Sequence, residues 1–201
     1  MADLRDLSGL RRSPLAHLGT VLPAVAGART VALHEVPFTV MVSIRVDPAS
    51  AAADRLAEAL GVPLPVHCGG TAHGARGTAI WLGPDEWLVI APGDDAATAR
   101  LGDDLAAALA GDHGSVVDVS ANRTTLELTG PAARAVLEKG CALDLHPRSF
   151  GPGQAVSTAV GPVPVVLWHL DDLTYRLLPR ASFADYLARW LLDAMSEYEA
   201  A

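Results

Sequence analysis

Residues 116–150, VVDVSANRTTLELTGPAARAVLEKGCALDLHPRSF, bring Asp118, Ser120, Arg123, Lys139, Cys141, Asp144 and His146 into one strand–turn–helix passage. An acid, a hydroxyl, a thiol and an imidazole this close in sequence could serve nucleophilic or acid–base chemistry. Cys141 is the obvious nucleophile, with Asp144 and His146 nearby. It follows Gly140 at the expected end of a helix, where the helix dipole disfavours thiolate, so its expected role is that of a small buried hydrophobe. Asp118 and Ser120 have short polar side chains between two expected strands, where they can bind neighbouring backbone N–H groups and hold a turn. The residues alone therefore predict no assembled catalytic set here.

The remaining candidates are scattered. His67, Cys68 and His73 in HCGGTAHG invite a metal, but zinc usually needs four ligands at characteristic spacing and no second Cys or His pair follows. The same glycines match neither GxGxxG nor GxxxxGK[ST], so no phosphate loop is expected. Asp94–Asp95, Asp103–Asp104 and Asp171–Asp172 are adjacent acids; neighbours on a helix diverge by about 100°, which prevents the helical pair from converging on one ligand. Arg123 and Arg148 could each hold a carboxylate, including a partner's acidic residue, through a bidentate contact. Trp81, Trp87 and Trp168 lie in two similar hairpins, where they serve either as core or as anchors for a partner.

The elements that position these groups read as follows. Residues 1–33 lack a sustained period and form an arm with a short helical piece. In VPFTVMVSIRV, Val40, Val42, Ile44 and Val46 alternate with Thr39, Met41, Ser43 and Arg45, the pattern of a half-buried strand. Asp47 is the expected N-cap and Pro48 the first residue of a helix that buries Ala52, Leu56, Ala59 and Leu60 and ends at Gly61. Residues 62–76 read mostly as loop. GTAIWLG and EWLVIAP then form two strands around Pro84–Asp85. A helix follows on Ala97, Leu101, Leu105 and Ala108, then a strand over 116–119.

The pattern then recurs. WLGPDEWLVIAP and WHLDDLTYRLLP place Trp81 and Trp168, Asp85 and Asp172, and Pro92 and Pro179 each 87 positions apart. TTLELTGPAARAVLEKG repeats strand, turn, Pro-opened helix and Gly stop, while QAVSTAV adds an unmatched strand. A final helix presents Phe183, Leu187, Trp190, Leu191 and Ala194 on one face. The expected fold is α+β: two ferredoxin-like (split βαβ) halves, residues 34–120 and 121–201, packed as one domain behind the arm 1–33, with helices on one side of each antiparallel sheet.

Composition bounds the function. A chain of 201 residues that is half apolar can bury a substantial core. A net charge of −8 argues against nucleic-acid partners, whose affinity comes largely from Lys and Arg on phosphates. The N-terminus lacks a continuous apolar run or a small-residue cleavage site, and AVGPVPVVLWHL is too short and too broken to cross a bilayer. Cys68 and Cys141 could in principle form a bridge; a reducing cytosol is the simpler expectation, and a cytoplasmic location with it.

These passages also carry a resemblance. VVDVSANRTTLELTGPAARAVLEKG resembles the D-[LV]-S … G-P-x-A passage of the folate-dependent aminomethyltransferase superfamily, and residues 34–201 thereby resemble the N-terminal part of its folate-binding domain. Within that superfamily, WLGPDEWLVI, KGCALDLHPRSF and SFADYLARWLLDA resemble the gamma subunits of heterotetrameric sarcosine oxidases over about residues 13–196, with GCALDLHPR the most specific part. The resemblance implies a noncatalytic chain of an αβγδ complex that oxidatively demethylates sarcosine to glycine, producing hydrogen peroxide and passing the one-carbon unit to tetrahydrofolate. It places FAD, FMN, NAD, tetrahydrofolate and zinc in partner subunits and no cofactor or metal in this chain. Alpha is the expected direct contact, with beta and delta in the same assembly, and the interface candidates are Trp81, Trp87, Arg148 and Trp168. The folate-orienting acid of true aminomethyltransferases is not carried over to Asp171 or Asp172. The alternatives are an independent folate-binding one-carbon transfer protein and an accessory protein of the same superfamily.

Overall fold

The computed structural model describes residues 10–22, 30–93, 98 and 100–198, so Ala97 and the Asp94–Asp95 pair lie outside the described residues. Its strands are β1 Ala32–Val36, β2 Val40–Val46, β3 Thr71–Gly74, β4 Gly77–Gly83, β5 Glu86–Ala91, β6 Gly114–Asp118, β7 Thr125–Thr129, β8 Ala155–Val160, β9 Val163–Asp171 and β10 Thr174–Pro179. Its helices are α1 Ala51–Leu60, α2 Leu101–Leu109, α3 Ala133–Glu138 and α4 Ala184–Met195. Two five-stranded antiparallel sheets result, one ordered β3-β4-β5-β2-β6 and the other β8-β9-β10-β7-β1. The fold is α+β with two ferredoxin-like halves.

Side-chain alternation explains the layering. On β5, Trp87, Val89 and Ala91 face α1 and α2, while Leu88 and Ile90 face the other sheet. On β9, Val163, Val165 and Leu167 face the α3/α4 side, while Val166 and Trp168 turn inward. The sheets thus pack face to face with helices on their outer faces. Central strands are covered on both sides, which is why WLVIA and VVLW are continuous apolar runs rather than alternating ones. Each fully buried leucine of α1, Leu56 and Leu60, contributes about 2 kcal/mol through removal from water.

Several expectations change. The helix cap is Ser50, whose hydroxyl accepts the Ala53 N–H at 3.3 Å; Asp47 instead accepts the Ala49 N–H in the preceding turn. Gly61, at φ 83°, ends α1 as expected. The segment 62–76 contains β3, an edge strand, and β8 occupies the corresponding edge of the other sheet, so QAVSTAV has a counterpart after all. Phe183 lies in a 3-10 turn and is 43% exposed rather than on the buried face of α4.

The repeat is real but shifted by one residue. Trp81 pairs with Trp87 across β4–β5, and His169 pairs with Tyr175 across β9–β10, an offset of 88. The same offset relates Thr78↔Ile90 to Val166↔Leu178. Since side chains alternate faces, a slip of one reverses every assignment. Trp81 therefore lies on the helix side and Trp168 between the sheets, although both were matched from their letters.

The outer strand of the second sheet comes from the start of the chain. β1 pairs with β7, taking the place that β6 holds beside β2. Thr30 donates its hydroxyl to the Tyr198 carbonyl at 2.8 Å, so the chain leaving α4 passes beside the start of β1. Leu15, Leu18 and Leu22 of the arm are buried in the same core, and a 3-10 turn forms at Ala16–Leu18.

Candidate functional site

The chain crosses between sheets twice, at residues 37–39 and 119–124, and the Asp118–Ser120 motif lies at the second crossing. Asp118 Oδ1 accepts the Ser120 N–H at 2.8 Å, and Ser120 Oγ accepts the Met41 N–H at 3.0 Å. The Val119 N–H donates to the Met41 carbonyl at 2.8 Å. Thr39 and Thr125, which lead into β2 and β7, share a buried hydroxyl–hydroxyl hydrogen bond of 3.1 Å. The acid and hydroxyl that could serve catalysis tie the chain leaving β6 to the start of β2, and the Thr39–Thr125 pair joins the two halves beside them.

The GCALDLHPRSF loop is likewise occupied with itself. Asp144 accepts the His146 N–H at 2.9 Å and the Ser149 hydroxyl at 2.6 Å. Those hydrogen bonds, the Ser149 one foremost, hold its carboxyl below the usual carboxylate range. Cys141 is buried, with Thr158 Oγ1 4.0 Å from its sulfur, and Cys68 is exposed; both are free thiols. No cluster of three metal-ligating side chains occurs among the described residues.

A cleft of about 1090 Å³ opens where the two sheets part, walled by Phe38, His73, Thr78, Ile90, Trp168 and Arg176 among others. His73 Nδ1 is 2.7 Å from Thr78 Oγ1, but they are a cross-strand pair and the Thr78 residue is 3% exposed, so the hydroxyl has no access to a substrate. Arg176 is neutralised by Glu127 at 2.8 Å, and its guanidinium stands 5.6 Å over the Trp168 ring. Among the described residues, the cleft lining contains no Asp or Glu. Asp171 instead caps the β9–β10 turn by accepting the Leu173 N–H at 2.9 Å. A pterin presents a face of N–H donors that a carboxylate would complement, and no described residue of the lining offers one.

The expected interface residues separate. Trp87 is fully buried and donates its indole N–H to the Pro65 carbonyl at 2.7 Å; it is a core residue with no surface for another chain, which corrects its choice. Trp168 is 7% exposed, Trp81 is half-buried and Arg148 is exposed. Three features escaped the sequence. His169 is buried, stacked between Phe150 and Tyr175 at 5.6 and 4.2 Å, with Nδ1 3.1 Å from the Phe150 carbonyl and Nε2 unpartnered among the described residues. Its one signal was an imidazole within an otherwise apolar strand. Phe38 holds φ at 60° with its ring 39% exposed beneath Arg11. Arg180 stands opposite Arg123 in an isolated bridge, visible only once the two halves meet.

The comparisons with known proteins agree on one family. The model of the sarcosine oxidase gamma subunit family matches residues 43–197. The chain belongs to that family. It is 48% identical over 199 residues to the sarcosine oxidase subunit gamma of Corynebacterium sp. (strain U-96), covering 98% of this chain and 95% of that one. Its identity to the subunit gamma of Arthrobacter sp. is 45% over 196 residues, covering 97% and 95%. A chain of the heterotetrameric sarcosine oxidase from Corynebacterium sp. U-96, solved with pyrrole 2-carboxylate, superposes with a TM-score of 0.88 at 47% identity over 96% of this chain and 98% of that one. The glycine cleavage aminomethyltransferase T of Bartonella henselae shares the fold, with a TM-score of 0.62 at 18% identity over 87% of this chain and 49% of that one. The gamma family fold is thus about half of the aminomethyltransferase one.

Proposed function

We propose that this chain is the gamma subunit of a heterotetrameric sarcosine oxidase and works as a noncatalytic part of that oxidoreductase. The observation that carries the reading is the near end-to-end correspondence with a chain of the Corynebacterium heterotetramer. Within the cleft, the pairing of Arg176 with Glu127 and of His73 with the buried Thr78 is in keeping with that reading. In this reading the flavins FAD and FMN, NAD, tetrahydrofolate and zinc are held by the alpha, beta and delta subunits, where sarcosine is demethylated. Gamma contributes surface to the assembly, chiefly against alpha, in the cytoplasm. An obligate interface of this kind buries more than about 2,000 Å². Among the described residues, no helix is long and apolar enough to cross a membrane.

Affinity capture of the tagged chain from its own host tests the reading. Recovery with three further chains and flavin absorbance is the expected result; recovery without a flavoprotein would overturn it. Calorimetric titration of the purified chain with tetrahydrofolate addresses the second class of function. No saturable heat is expected, and micromolar binding would make the chain an independent folate protein.

A further inference from the structure

Four of the six described arginines with no carboxylate within 4.0 Å gather on one face of this acidic chain; the other two, Arg100 and Arg148, line neither depression there. Arg45, Arg55, Arg76, Arg134, Arg176 and Arg189 each have a carboxylate within 4.0 Å. Arg11, Arg12, Arg123 and Arg180 have none among the described residues, and all four line two depressions of about 850 and 530 Å³ that share Arg123. Among the described residues, the single acid in either lining is Asp118, whose Oδ1 already accepts the Ser120 N–H.

The geometry at the shared edge is more telling than the count. Thr124 N donates to the Pro179 carbonyl at 3.3 Å and Ala181 N to the Asn122 carbonyl at 2.8 Å, so Arg123 and Arg180 form a non-hydrogen-bonded antiparallel pair. In such a pair the Cα atoms approach to about 4.5 Å and the side chains leave on the same face. Like charges directly opposite each other destabilise a ladder. Arg123 is half-buried and spends one nitrogen on the Leu178 carbonyl at 2.8 Å. Burial foremost, and then Arg180, lower its affinity for its proton; Glu86 opposes this but lies 3.8 Å from Arg45, which shares its charge. Two partly exposed rings, Phe38 and Phe183, line one depression each.

We propose that this face is the docking surface for an acidic segment of a partner subunit, one carrying two or more carboxylates interspersed with apolar side chains. Four guanidinium groups spread over two depressions exceed what a single carboxylate or phosphate can engage bidentately. The rings supply the apolar contacts between them. Carboxylates at Arg123 and Arg180 relieve the repulsion that the isolated chain carries, so the charge pair favours assembly over the free subunit. This proposal rests on the reading of the chain as a subunit of the heterotetramer.

The test co-expresses the full chain with the alpha, beta and delta subunits of its host and measures gamma retention on captured alpha across a salt series. Arg123→Gln/Arg180→Gln and Arg11→Gln/Arg12→Gln are each expected to weaken retention about tenfold and flatten its salt dependence. Arg134→Gln/Arg189→Gln, which alters exposed paired arginines elsewhere, is expected to leave both unchanged. Arg180→Glu separates docking from folding: it pairs with Arg123, so the isolated chain should melt no lower than wild type while retention is lost. Wild-type retention and salt dependence in Arg123→Gln/Arg180→Gln would overturn the proposal. So would saturable binding of inorganic phosphate or citrate to the isolated chain, lost in that variant while assembly persists, which would mark a small-anion site. Failure of the wild-type chain to join any subunit overturns the subunit reading itself, and this proposal with it.

Discussion

Ser120 is the residue at which a catalytic and a structural role make opposite predictions. Its hydroxyl accepts the Met41 N–H at the crossing between halves. Ser120→Ala leaves that part-buried donor without its partner and should cost about 1–2 kcal/mol, seen as a lower urea midpoint. Turnover per assembled complex should be unchanged, whereas a proton-transfer serine would lose it. Gly93 is held by a different constraint: a Cβ there would run into the carbonyl oxygen of Phe38, whose positive φ turns that oxygen inward. Gly93→Ala should destabilise the isolated chain by about 1–3 kcal/mol, read from the same denaturation curve. For Asp144 the sign follows from its depressed pKa. The Ser149 and His146 hydrogen bonds contribute fully above the ordinary carboxylate range and are lost as pH falls through the lower folded value. Amide resonances of His146 and Ser149 should therefore titrate together below that range, and Asp144→Asn should remove the transition.

At the scale of elements, the hairpins β4–β5 and β9–β10 were legible because continuous apolar runs end at polar turns, Pro84–Asp85 and Asp172–Leu173. Their mutual alignment was not. Matching Trp81 to Trp168 and Pro92 to Pro179 gave 87, whereas the strand pairing requires 88, because chance identities outweighed register. Ser50 was missed as a cap because Asp47–Pro48 is a good helix start in isolation, yet the turn there consumes Asp47 locally. Neither β1 nor β3 showed a clean period, and the β1 partner lies in the other half. Arg123 was marked as a carboxylate binder, but Arg180 was not, since only the tertiary bridge brings them together. If β1 and the arm complete the second half, a fragment of residues 37–201 should scatter light and lack cooperative melting. Adding a peptide of residues 10–36 should restore a single transition by circular dichroism, and failure to do so would place the arm outside the folding unit.

At the scale of the molecule, two similar halves share a sheet-to-sheet core in which Met41, Ile80, Leu88, Val166, Trp168 and Leu178 interlock. Trp168→Ala should cost about 3–5 kcal/mol, as expected for an aromatic removed from a packed core, and should deplete the subunit from the complex through misfolding. Trp81, at the half-buried edge of the helix-side core, should tolerate alanine better. Thermal melting of both variants orders them. The placement of β1 also has a consequence for how the polypeptide is made. The first half, β2 to β6, holds all its pairing partners in one contiguous stretch and can close while synthesis continues. β1 leaves the ribosome before any of it, yet its partner β7 follows roughly ninety residues later, a wait on the order of 5–20 s at usual elongation rates. Throughout that interval the nascent chain displays an unpaired strand beside a leucine-bearing arm, so the yield of folded subunit should depend on that strand being shielded until β7 emerges, as well as on the stability of the finished core.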